Sequence, residues 1–104
     1  MNYSIKSVEA VRYPVVRVTF DDGFSGEYDL GPSITSQPIF APLKDEVYFR
    51  TVAVAPYGHS FGWNLAEEGQ EIDLCPDATR ICLETQVVEE LASRYRDGRQ
   101  SAAK

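Results

Sequence analysis

The chain has 104 residues, 16 acidic against 10 basic, giving a formal net charge of −6 with 43% hydrophobic and 25% charged residues. That length and balance predict one globular domain and exclude a wholly disordered chain. The negative charge argues against unaided binding to phosphate backbones or anionic lipid, and no apolar run approaches the roughly 18 residues of a membrane span.

Met1 to Lys6 lacks both the basic cluster and the apolar core of a signal peptide, so a cytoplasmic location is expected, with Cys75 and Cys82 as free thiols. Ile5 to Val11 reads as a first strand, and Arg12-Tyr13-Pro14 as the turn that follows it. The segment from Val16 to Leu30 is the most determined of the chain. Strand side chains alternate between faces, so the loop length decides which residues meet. A two-residue loop at Asp22-Gly23 mixes the faces. A three-residue loop, Asp21-Asp22-Gly23, sets Phe20 opposite Phe24, Val18 opposite Gly26 and Val16 opposite Tyr28, with the large apolar groups together. Gly23 then takes the left-handed position that such a loop needs.

Gly31-Pro32 ends the strand, and residues 33 to 42 read as loop because prolines 32, 38 and 42 block a long helix. Lys44 to Phe49 has room for one helical turn. Thr51-Val52-Ala53-Val54 and Phe61-Gly62-Trp63 read as a second antiparallel pair, reversing at Tyr57-Gly58 with Val54 across from Phe61 and Val52 across from Trp63. The expected fold is therefore a small α+β domain, with one antiparallel sheet of about five strands built from hairpins, short helical turns and a C-terminal helix.

That helix is expected to supply the cover. Val87, Val88, Leu91, Ala92 and Tyr95 share one face at helical spacing, and are predicted to close over the sheet face that holds Phe20 and Trp63. Pro76 suits a first helical position and Gly98 a stop. Leu83 falls off the stripe, so a break is expected near Cys82 to Glu84. The domain is taken to run over residues 1–97, with 98–104 a frayed tail.

Few residues suggest chemistry. His59 precedes an acidic stretch, Glu67-Glu68-Gly69-Gln70-Glu71-Ile72-Asp73, but no HExxH, CxxC or other ligand spacing is present, so neither metal nor cofactor is expected. There is no GxSxG, no second histidine to serve a nucleophile and no phosphate-cradling glycine loop. Cys75 precedes Pro76 at a helix start, where a thiolate is stabilised, although capping or packing accounts for a cysteine there equally well. The acidic stretch reads as a solvated turn. Functionally, Glu67, Glu68, Glu71 and Asp73 are the candidate partner contacts, since carboxylates facing Lys and Arg of a partner raise its on-rate. Phe40, Tyr48, Phe49 and Trp63 read as core.

Five segments, taken in order, carry a resemblance: Phe20-Asp21-Asp22-Gly23 with Gly26-Glu27-Tyr28-Asp29-Leu30; Ile39-Phe40-Ala41-Pro42-Leu43; Phe49-Arg50-Thr51-Val52; Trp63; and Ile72-Asp73-Leu74-Cys75-Pro76-Asp77. Over roughly Ile5 to Ile81 they resemble the domain-of-unknown-function 2442 family. The segment between Trp63 and Asp73 is longer here than in that pattern, and the helix from Thr85 onward lies outside it. The resemblance implies a small bacterial α+β domain, often found beside toxin-like partner genes, and brings no catalytic residues. The function expected is a non-enzymatic interaction module, antitoxin-like, binding a small basic protein; a homodimer is compatible with it. The alternatives are a transcriptional regulator acting on DNA through Arg94, Arg96 and Arg99, or an enzyme using Cys75 or the acidic turn.

Overall fold

The structure, a computed structural model, describes residues 3–67 and 69–102, with side chains as far as Asp97. Three strands, β1 (Ile5–Arg12), β2 (Val15–Phe20) and β3 (Ser25–Asp29), form an antiparallel sheet in chain order. The three-residue loop sets its register as expected. Val16 faces Tyr28 and Val18 faces Gly26, and the Phe20 amide donates to the Phe24 carbonyl at 2.8 Å. Gly23 takes φ 92°. Period-two alternation buries Val16, Val18 and Phe20 and leaves Arg17 exposed.

After Leu30 the chain is not a loop. A short helix α1 (Gly31–Ser36) and a 3-10 segment (Pro38–Lys44) follow one another. Pro38 bars Gln37 from the helical region, and Gln37 sits extended at φ −117°, ψ 117°, so two short pieces form where one helix could not. They deliver Ile34, Phe40 and Leu43 to the core. Helix α2 (Glu46–Phe49) is the predicted single turn, capped by Asp45, whose carboxylate accepts from the Val47 and Tyr48 amides.

The single five-strand sheet is corrected to two sheets of three strands. The second holds β4 (Ala53–Val54), β5 (Phe61–Trp63) and β6 (Ile72–Leu74), all antiparallel, with β5 central. Val54 faces Phe61 as expected, but Val52 is outside the ladder. The Thr51 and Val52 amides are already spent on the Tyr48 and Phe49 carbonyls, at 3.0 and 3.3 Å, so β4 starts late. The partner that Trp63 finds is Ile72, a strand not foreseen. Phe20 and Trp63 thus lie on different sheets, yet both are buried in one apolar cluster. Beside β1, the turn at Gly58 packs against Ile5; a side chain at Gly58 would run into the Ile5 backbone.

Helix α3 (Pro76–Ala102) is continuous; the break near Cys82 to Glu84 and the stop at Gly98 are both absent. Residues 103 and 104 of the expected tail lie outside the described residues. The cover is also not the predicted one. Val87, Val88, Leu91 and Tyr95 are 44%, 64%, 56% and 66% exposed, whereas Leu83 is 1% exposed. Leu83 packs its Cδ2 3.1 Å from where a Cβ on Gly26 would stand, so the glycine of β3 makes the socket that the helix fills. At about 100° per residue, Leu83 lies roughly a third of a turn away from the Val88–Leu91 stripe. One straight helix therefore carries two apolar faces, which removes the need for a break.

Arg80 locks this helix to the first hairpin. Its guanidinium carbon lies over the rings of Tyr3, Phe20 and Phe24, 4.3, 4.9 and 4.2 Å from their centroids, and its side chain is 10% exposed. Nη1 and Nη2 reach the two oxygens of Asp22 at 3.1 and 3.0 Å, while Nε donates to Glu84 at 2.7 Å. Ring contact combined with a two-pronged fork to one carboxylate is what a guanidinium offers and an ammonium does not. Arg80→Ala is expected to cost about 2–3 kcal/mol, combining lost ring contact with lost charge-assisted bonds. Arg80→Lys should recover less than half of that loss. A urea midpoint unchanged in Arg80→Ala would refute this. The hydrogen bonds from Arg80 and the Phe24 amide hold the Asp22 carboxyl below its usual range. Its contribution is therefore present above the ordinary carboxylate range and lost as pH falls through the lowered value; Arg80→Ala should remove that dependence.

Candidate functional site

The acidic turn follows β5. The Asn64 carbonyl accepts from the Glu67 amide at 3.0 Å, and the Glu67 carbonyl from the Gln70 amide at 2.9 Å, so the chain folds back before β6. Asn64 and Gly69 supply the left-handed residues of the reversal, at φ 54° and 85°. Alternation then buries Ile72 and turns Asp73 outward. Glu67, Glu71 and Asp73 are all exposed. Glu68 lies outside the described residues.

Of the described carboxylates, Glu67 and Glu71 border different depressions. Glu67 borders a depression of about 540 Å³ along β4 and β5, with Val54, Pro56 and Leu65. Glu71 borders another of about 420 Å³ with Ile39, Tyr48 and Ile72. Asn64 lies on both linings. In the second depression the Tyr48 hydroxyl is buried without a hydrogen-bond partner among the described residues. A desolvated hydroxyl that makes no bond costs stability, so Tyr48→Phe should stabilise the protein by about 1 kcal/mol. A drop in the thermal midpoint of that variant would show that the hydroxyl is satisfied.

His59 and Cys75 come together where the sequence separates them. A cavity of about 400 Å³ is lined by Tyr3, Ser4, His59, Cys75, Pro76 and Asp77, at the start of α3. The parts have structural duties. Asp77 accepts the Tyr3 amide at 2.9 Å, tying the first strand to the helix, and the Cys75 carbonyl receives the Thr79 amide at 3.0 Å. Among the described residues no group of three or more His, Cys, Asp and Glu side chains is placed to hold a metal ion. Cys75 and Cys82 are both free thiols. Phe40, Phe49 and Trp63 are buried, as a core reading requires, and Tyr48 is half-buried.

Among the described residues, five of the nine exposed large hydrophobics lie on α3: Ile81, Val87, Val88, Leu91 and Tyr95. The helix's 27 residues span about 40 Å, and among its described side chains only Pro76, Thr79, Arg80 and Leu83, near its start, are buried. The molecule measures 59 × 29 × 20 Å with a radius of gyration of 16.2 Å, against about 13 Å for a compact chain of this length. The helix projects from the body. From the base of the helix outward, Ile81, Val88 and Tyr95 recur at a spacing of seven, with Leu91 between the last two. Ile81 escapes a search for a cover because it lies before the supposed break; the seven-residue spacing was the signal that could have found it. Arg80 was also missed. Its spacing of four from Glu84 is visible in sequence, while its bond to Asp22 spans 58 positions.

Among the described residues no helix is long and apolar enough to cross a membrane. No family model, no curated protein and no solved structure matches the chain.

Proposed function

We propose that this protein is a non-enzymatic protein-interaction module, in which a small α+β body carries a projecting docking helix. The observation that supports this reading is the Val88–Leu91 stripe, apolar and more than half exposed on a helix whose base is held by Leu83 and Arg80. Burying such a stripe against another polypeptide gains roughly 25 cal/mol per Å² of apolar surface, and helix-in-groove recognition uses this spacing. The exposed Glu67, Glu71 and Asp73 belong to a chain of net charge −6, which favours a basic partner and accelerates its approach. The antitoxin-like role implied by the family resemblance is one form of this reading, with a small basic protein as the partner.

The experiment is native purification of the tagged full chain after co-expression with an untagged copy and with the products of neighbouring genes. A stoichiometric polypeptide companion is expected, lost in Val88→Glu/Leu91→Glu. If the companion is basic, changing Glu67, Glu68 and Glu71 to Gln should slow its association and flatten the salt dependence of that rate, without altering the unfolding midpoint. A tagged chain that emerges alone at the mass of one copy overturns the reading.

A further inference from the structure

Asp22 and Gly23 form an Asp-Gly pair, in which no side chain on the glycine hinders attack of its amide nitrogen on the preceding carboxyl carbon. The Asp22 side chain is 51% exposed, so burial does not shield it from water. What restrains it is a set of bonds. Nη1 and Nη2 of Arg80 hold one oxygen each, at 3.1 and 3.0 Å, and Oδ1 also accepts from the Phe24 amide at 3.1 Å. The Gly23 amide donates to the Phe20 carbonyl at 2.9 Å. Arg80 is itself fixed by Glu84 at 2.7 Å and by the rings of Tyr3, Phe20 and Phe24. The two groups of a ring closure are thus neighbours in a solvent-facing loop, and the tie on the carboxylate comes from a helix 58 positions away.

We propose that Asp22-Gly23 is a latent isoaspartate site that Arg80 holds shut, so that release of the base of α3 from the first hairpin opens the loop to a covalent change. The chemistry needs only water. The Gly23 nitrogen bonds to Cγ of the protonated Asp22 carboxyl, whose hydroxyl departs as water with the amide proton, and a succinimide ring closes. Water then opens the ring. Breaking the bond between nitrogen and Cγ restores aspartate. Breaking the bond between nitrogen and the Asp22 backbone carbonyl carbon leaves the chain running through Cγ, with a free α-carboxylate. Arg80 opposes the first step, because an oxygen forked by a cation stays ionised and does not leave as water. The bond from the Gly23 amide to Phe20 withholds the nucleophile at the same time. Isomerisation would add one backbone atom to a loop whose three residues set the register of β2 against β3, and would displace the carboxylate from the fork. The site stands whether or not the exposed stripe of α3 docks a partner.

Full-length wild type, Arg80→Ala and Arg80→Lys are incubated for several weeks in heavy-oxygen water, at neutral pH and physiological temperature. Each succinimide takes up one solvent oxygen as it opens. Peptide mass mapping therefore counts events at Asp22 and separates them from those at Asp97-Gly98, the other Asp-Gly pair of the chain. Wild type is expected to label at Asp22 at least about tenfold more slowly than the chain unfolded in urea, since only locally opened molecules react. Arg80→Ala should label at least several-fold faster than wild type, and Arg80→Lys, which keeps the charge without the fork, should lie between them. General loosening is controlled by wild type in enough urea to match its unfolding free energy to that of each variant; it should label clearly more slowly than the variant it matches. If Arg80→Ala does not fold, Arg80→Lys with its own matched wild type carries the comparison. Wild type labelling as fast as the unfolded chain, variants no faster than wild type, or matched wild type as fast as the variants would each overturn the proposal.

Discussion

Replacing Trp63 by alanine is expected to leave the chain largely unfolded at physiological temperature. Trp63 is fully buried on β5, its ring 5.6 Å from that of Phe49, and its Nε1–H donates to the Phe49 carbonyl at 2.8 Å. Losing a buried aromatic costs about 3–5 kcal/mol, and losing the Nε1–H bond adds about 1 kcal/mol, the Phe49 carbonyl being left with the longer bond from the Val52 amide. The whole stability of a domain of this size is about 5–15 kcal/mol, so one substitution removes much or all of it. Trp63→Phe separates the two causes: the ring stays, the donor goes, and the loss should fall to less than half. Far-UV circular dichroism with urea unfolding reads both. A Trp63→Ala protein with the wild-type midpoint would show that the second sheet does not pack as described.

Gly62→Ala is expected to do comparable damage for a different reason. Gly62 has no unusual φ; its need for glycine is a matter of space. A Cβ at that position would run into the Ile72 carbonyl oxygen and stand 2.8 Å from the Asp73 Cα, both backbone atoms of β6. Backbone cannot rotate aside as a side chain does, so β5 and β6 must separate. The cost is expected to reach about 3 kcal/mol, the upper part of the range for overpacking. Gly69→Ala is the control. Gly69 takes φ 85° with nothing within 4 Å of an added Cβ, so only left-handed strain is paid, about 1 kcal/mol. Equal losses in the two variants, measured by thermal midpoint, would refute the close approach of β6.

The sequence by itself determined the elements whose information is local. Alternation along Val16, Val18 and Phe20, with Gly23 in the loop, permits one register that keeps the apolar groups together, and the chain adopts it. Val54 opposite Phe61, the helical turn ending at Phe49 and the helix start at Pro76 follow from equally short-range signals. The acidic turn was legible as exposed carboxylates, because charges without a burying partner stay in water. Only the tertiary structure decided which of two apolar faces of α3 meets the body. Periodicity marks both faces, but it says nothing of Gly26, a residue whose missing side chain makes the socket for Leu83 57 positions later. The same holds for Arg80, whose ring contacts come from Tyr3, Phe20 and Phe24. It holds too for the division into two sheets, where local hydrogen bonds at Thr51 and Val52 compete with the ladder and win. Long-range packing chooses among locally equivalent alternatives, and the alternative left unchosen on α3 is the exposed stripe.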